Sequence, residues 1–393
     1  MQNVEVSTGE LEQDPHAALA AMRTAGPVAW VESLGAWVVT TREMAMRVMR
    51  DPETFTVDDP RFSTAQVVGP SMLSLDHADH ARHRDPFEAP FGLAQTRERF
   101  TAFVEAETDR LVSAIEPLGR ADLRRAVAGP LSVAVVADSL GLPGTDPATV
   151  LDWYDAISAS VTGVSAGCPV TAAGGEAFDL LYAHVAKAIA TGKVDSSLVA
   201  HAAQAGLDTD AVVANAAVLM FGGIETTEGM ITNALWHLLT NQDQLELVRA
   251  DPELLANAIE ESLRLEPAAA TVDRYATRDV ELGGATIRQG DLVTVSLAGA
   301  NRDPAVFPSP DSYDVRRPNA RRHLAFASGP HICLGMHLAR LEAQTALRHL
   351  LTRLPDLRLD PSGPSPAPHG LVFRKPRTIP ALWSHPSPHR PKP

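Results

Sequence analysis

Phe326-Ala-Ser-Gly-Pro-His-Ile-Cys-Leu-Gly335 holds Cys333, one of only two cysteines in a chain of 393 residues. Gly329 and Pro330 predict a turn just ahead of that cysteine. Leu334, Leu338, Leu341, Leu347 and Leu350 then recur at roughly helical spacing, which places Cys333 at the mouth of a helix. The partial positive charge of a helix N-terminus favours thiolate over thiol. Gly335 has no side chain and leaves room for a flat, large group to approach the backbone. A thiolate in such a setting suits a metal, and a single thiolate on haem iron favours O–O cleavage. A lone cysteine is more often an inert buried residue, so the rest of the chain has to decide.

Upstream, Asp208 to Thr240 is the longest apolar helical run, with Asp208 or Thr209 as its cap. Gly222-Gly-Ile-Glu-Thr-Thr227 interrupts it. Two adjacent glycines cost a helix about 1 kcal/mol each against alanine. A polar Glu-Thr-Thr inside an apolar rod breaks the local pattern, as expected where function requires it. A kinked helix with back-bonded threonines would give the same pattern. Asp76-His-Ala-Asp-His-Ala-Arg-His-Arg84 reads as the charged start of a surface helix. Within it, His80 and Arg84 share a helical face and both can reach one carboxylate. Glu261 and Arg264, at i and i+3 in a helix opened by Asp251-Pro252 and closed before Pro267, form a pair common on helix surfaces.

Taken in order, these stretches resemble the cytochrome P450 family, the haem-thiolate monooxygenases. The match to its haem signature comprises Phe326, Gly329, His331, Cys333 and Gly335, with Ala325 and Ala327 alongside. Ala327 stands where the family usually has Gly, and a minor backbone adjustment is expected there. The resemblance implies a mainly α fold with a small β portion, haem b lying between the long central helix and the cysteine helix. It implies Cys333 as iron ligand, His80, Arg84 and Arg274 as haem propionate partners, and Gly223 beside the cofactor. It implies Glu225 and Thr226 as the acid–alcohol pair that delivers protons to dioxygen, with Gly222 and Gly223 leaving space. Glu261, Arg264 and Arg317 match a buried structural lock. By position alone, Phe62, Val67, Val68, Met72, Val218, Leu219, Ala269, Thr271, Val272 and Val372 are expected to line the substrate pocket. Their apolar character fits a lipophilic natural-product or xenobiotic molecule undergoing hydroxylation or epoxidation.

Composition agrees. Hydrophobic content of 45% allows a large core, and the net charge of −14 argues against a nucleic-acid partner. No run approaches the ~18 apolar residues of a membrane span, and the N-terminus lacks a leader pattern, so a soluble cytoplasmic monomer is expected. Cys168 and Cys333 are too few and too far apart for a disulfide framework. A single domain over residues 1–384 is expected, with β structure mainly at 28–40, 279–298 and 369–383 and a disordered tail at 385–393. A short helix should follow a polar lead within 1–26, a helix should span Arg42 to Arg50, residues 56–72 should be loop, and lid helices should occupy 150–192. The loop's apolar residues suit a pocket wall and a segment pinned to the core equally. From Arg316 to Arg353 there are seven arginines and one acid, which suits an acidic docking partner or ordinary local ion pairing. No flavin or nicotinamide fingerprint is present, so a ferredoxin and ferredoxin reductase are the expected electron donors, with no bound flavin. Two alternatives share the fold: a peroxygenase or oxidative-coupling enzyme, and a haem sensor or ligand-binding protein without turnover. The latter needs no proton relay.

Overall fold

The computed structural model describes residues 5–141, 145–165, 168–191 and 197–384; the expected tail at 385–393 lies outside them. In chain order the helices are α1 (Thr8–Gln13), α2 (His16–Ala25), α3 (Arg42–Arg50), α4 (Ser63–Val68), α5 (His77–Glu88), α6 (Leu93–Ile115), α7 (Gly129–Leu140) and α8 (Pro147–Ser165). They continue with α9 (Ala172–Thr191), α10 (Leu198–Gln204), α11 (Thr209–Thr240), α12 (Gln242–Ala250), α13 (Leu254–Leu265), α14 (Leu297–Ala300) and α15 (Met336–Arg353). The fold is mainly α with a small β portion.

α11 is the axis. Its 32 residues span ~48 Å at ~1.5 Å per residue. Asp208 caps it, accepting the Ala211 N–H at 2.9 Å. Most of its second half is buried, polar Thr227, Glu228, Thr232, Asn233 and His237 included. Helices α7, α9, α13 and α15 pack against it and share one large core cluster with it.

The main sheet orders β1 (Val28–Val31), β2 (Ala36–Val39), β8 (Leu292–Ser296), β5 (Thr271–Ala276) and β3 (Phe55–Thr56) side by side. β2 and β8 run parallel and the other pairs antiparallel. β4 (Arg120–Asp122), β12 (Pro380–Leu382) and β9 (Arg358–Leu359) form a second sheet. β6 (Val280–Leu282) with β7 (Ala285–Ile287), and β10 (Pro368–His369) with β11 (Lys375–Pro376), are two-stranded ribbons.

Three expectations change. The polar lead contains α1, whose Ser7 and Glu10 form a reciprocal capping box. The expected loop at 56–72 contains α4, too short for periodicity to reveal. The β structure expected over 279–298 ends at Ser296, whose hydroxyl accepts the Gly299 N–H at 3.0 Å and starts α14.

Candidate active site

The cysteine loop is tied back on itself. Ala327 N–H donates to Leu324 O, Ile332 N–H to Gly329 O, and Cys333 N–H to Phe326 O at 2.8 Å. Gly329 has φ +81°, and a Cβ there would lie 2.4 Å from the Met49 carbonyl oxygen, so only glycine fits against α3. Ala327 has φ +59°. That is the left-handed region, where the alanine bears a strain of about 1–2 kcal/mol. Gly335 is the residue capping α15, and a Cβ on it would meet nothing within 4 Å.

The expected thiolate bias is reversed in the chain by itself. Burial pushes the Cys333 thiol up, and the Gly335 N–H, Arg84 and Arg340 pull it down by less. A bound metal ion would supply the missing charge.

Around the loop, His80 and Arg84 lie buried on one face of α5. The His80 Nε2 is buried without a hydrogen-bond partner. Burial, then His331 and Arg84, pushes this imidazole down to about 4. Arg84 donates to Ile332 O at 2.9 Å and pairs with Glu88 at the same distance. The His331 ring lies tilted against the His80 ring, centroids 4.3 Å apart, and bonds Asp76 at 2.8 Å. Arg274, buried on β5, donates to Asp273 O at 2.7 Å and has no ion-pair partner among the described residues. A buried donor-acceptor nitrogen, two arginines and an uncovered Gly335 beside a free thiol are what a flat, iron-bearing, dianionic group needs. The residues fit haem.

Mid-α11 differs from expectation in detail. A Cβ at Gly222 would meet nothing within 4 Å, but one at Gly223 would lie 2.5 Å from Val136 Cγ2. Gly223 therefore serves the close crossing of α7 and α11, and Gly222 faces open space. The helix runs unbroken, and the Thr226 hydroxyl donates to Gly222 O, leaving its oxygen free to accept. Glu225 accepts from the Tyr154 hydroxyl and pairs with Lys375 Nζ at 2.8 Å. Lys375 also bridges to Glu228, which Arg124 holds at 3.2 Å. Burial, then Glu225, pushes the Tyr154 phenol up, so it remains a donor.

Tyr154 and Lys375 escaped the sequence reading. One signal existed for Lys375: it is one of four lysines in a chain that otherwise uses arginine.

Among the expected pocket residues, Val67, Val68 and Met72 are buried in the main core. The Met72 N–H donates to Asn215 of α11 at 2.8 Å. Phe62 precedes α4, and Val218 and Leu219 are half-buried on α11. Strand pleating separates Thr271 from Val272. Val272 shares a face with Arg274, while Thr271 lines a cavity of about 30 Å³ with Leu11, Leu19 and Met22. Thr271 therefore also faces the α1–α2 side of the sheet. Val372 is exposed and Ala269 bridges Phe373, whose ring meets Phe221 of α11 edge-on at 5.1 Å. The aromatic contact with α11 therefore falls one residue after Val372.

The expected lock is assembled. Arg264 and Glu261 are both fully buried and pair at 2.7 Å; Arg317 reaches the same carboxylate at 2.7 Å. The two guanidiniums spend their remaining donors on carbonyls of Asn301 and residues 308–312. The basic run is largely neutralised: Arg317, Arg340, Arg348 and Arg353 pair with acids of α13, α6 and Glu116. Among the described residues, Arg316, Arg321 and Arg322 remain exposed without an acidic partner.

Comparison with known proteins agrees with this geometry. The model of the family described as Cytochrome P450 matches residues 193–379. Cytochrome P450 monooxygenase PikC of Streptomyces venezuelae is 34% identical, the match covering 94% of this chain and 91% of that protein. The 20-oxo-5-O-mycaminosyltylactone 23-monooxygenase of Streptomyces fradiae is 34% identical over 86% of this chain and 82% of its own. The crystal structure of CalO2 superposes with a TM-score of 0.89 at 27% identity, covering 98% of this chain and 99% of that one. The chain belongs to the cytochrome P450 family and is a haem-thiolate oxidoreductase that incorporates one oxygen atom from dioxygen.

Proposed function

We propose that this family member hydroxylates or epoxidises a lipophilic small molecule of natural-product or xenobiotic metabolism, using haem b, dioxygen and electrons from a ferredoxin. Residues 1–384 act as one catalytic domain. The observation that carries this reading is the pairing of two sites: Cys333 near His80, whose Nε2 has no hydrogen-bond partner, and Arg274, which has no ion-pair partner among the described residues, together with an acid–alcohol pair on an unbroken α11. Haem held by a single thiolate supplies the oxidising chemistry.

The chain's own residues do the rest. Cys333 would hold the iron, and His80, Arg84 and Arg274 would take the two carboxylates through charge-assisted hydrogen bonds. Thr226 has committed its proton to Gly222 O, so its oxygen accepts from a water and holds it in place. Glu225, on the same turn, relays protons from bulk solvent. Tyr154 and Lys375 fix its carboxylate, and Lys375, on a flexible stem between Glu225 and Glu228, exchanges partners as protons pass. Half-buried Val218, Leu219 and Val272, with Phe221 and Phe373, offer an apolar wall. Exposed Arg316, Arg321 and Arg322 present positive charge to a ferredoxin. No helix among the described residues is long and apolar enough to cross a membrane. The relative named as a 20-oxo-5-O-mycaminosyltylactone 23-monooxygenase supports a natural-product role.

The test is turnover with a ferredoxin, its reductase, NADPH and a panel of lipophilic compounds. A product heavier by one oxygen is expected. Thr226→Ala should lower product formation on the order of 10²-fold while NADPH oxidation continues. NADPH oxidation without product in both proteins would favour the non-turnover alternative.

A further inference from the structure

A second charged cluster, distinct from the lock, stands against Phe326. Glu260 of α13 is fully buried. Arg340 of α15 grips its carboxylate with two donors, at 2.6 and 3.0 Å. His323 Nε2 meets the same carboxylate at 2.9 Å, and His323 Nδ1 accepts the Ala325 N–H at 3.1 Å. The imidazole therefore donates from Nε2 and accepts at Nδ1, tying the start of the cysteine loop to α13. Burial pushes the Glu260 carboxyl up, but the His323 and Arg340 hydrogen bonds more than reverse this and leave it at about 2. The guanidinium they hold lies over the Phe326 ring, 4.5 Å from its centroid, and His323 tilts against the same ring at 5.8 Å. The Phe326 carbonyl accepts the Cys333 N–H.

Contacts thus run without a gap from a carboxylate on α13, through an arginine on α15, to the phenyl ring and backbone that shape the cysteine. Only an arginine can do this job, because its planar face stacks while its edge makes the bidentate pair. Resting on the haem-thiolate reading above, we propose that Arg340 is a positioning residue for the iron-ligating cysteine. Glu260 and His323 fix Arg340, Arg340 clamps Phe326, and the Phe326 carbonyl orients Cys333.

The test follows the reduced, carbon monoxide-bound holoenzyme as its thiolate-type absorption band converts to the thiol-type band. In Arg340→Gln the thiolate-type band should decay several-fold faster than in wild type, and Arg340→Lys should recover only part of the lifetime. The double variant E260Q/R340Q leaves no unpaired buried charge and should decay as fast as R340Q. It decides the question alone if R340Q does not take up haem. A wild-type lifetime in the double variant, with only the thermal unfolding midpoint lowered, would overturn the proposal and leave Arg340 a stability residue. Absence of the thiolate-type band from wild type would instead remove the haem-thiolate reading itself.

Discussion

Two charged regions of this molecule are built differently. Around α13, Glu261, Arg264 and Arg317 are almost completely withdrawn from solvent, and each guanidinium is held by its carboxylate and several carbonyls. Around the middle of α11, Glu225, Glu228 and Lys375 each keep 10–16% of their side-chain surface exposed. One lysine there serves two acids, with a tyrosine and an arginine at the ends. A planar arginine fork fixes direction, whereas a lysine is a point charge on a rotatable stem. The first arrangement suits a scaffold that must hold a ligand loop still. The second suits a place where protons change hands. Burial alone does not separate them; the donor geometry does.

The sharpest way to break the comparison is to remove one charge from each region. Glu261→Gln strands two buried guanidiniums and should cost about 3–5 kcal/mol. Lys375→Met leaves its two acids with Tyr154 and Arg124 and should cost only about 1–2 kcal/mol. Urea unfolding of the two variants measures the difference. Equal costs would mean that the α11 network is as rigid as the lock.

A smaller effect sharpens the picture of α11. Gly223→Ala drives a methyl into the stiff Val136 side chain, 2.5 Å away, and should destabilise by about 1–3 kcal/mol. Gly222→Ala points into open space and should stabilise the haem-free chain by about 1 kcal/mol through helix propensity. Thermal unfolding of the haem-free proteins should therefore move in opposite directions.

These two regions were also unequally legible in the sequence. Glu261 and Arg264 are one helical turn apart, so local spacing brought them together, and resemblance supplied Arg317. Glu225 and Lys375 lie 150 positions apart, on a helix and a two-residue strand, and no periodicity links them. Thr271 and Val272 show the same limit: both looked like pocket residues by position, but the pleat of β5 sends neighbours to opposite faces. Gly222 and Gly223 look alike in sequence, but helix geometry turns the second ~100° from the first, so that only the second lies against Val136. The cysteine loop was legible because each of its constraints is local: a turn glycine, a helix start and a thiol between them. Ala327 is the instructive exception, since the loop is left-handed there with an alanine in place of glycine.

The central claim is that Cys333 carries haem iron. The difference spectrum of the purified, dithionite-reduced protein with carbon monoxide, taken beside Cys333→His, tests it directly. The red-shifted band of a thiolate-ligated ferrous carbonyl in wild type, lost in the variant, is the predicted result. A wild-type protein without haem, or with the spectrum of a histidine-ligated carbonyl, would contradict it.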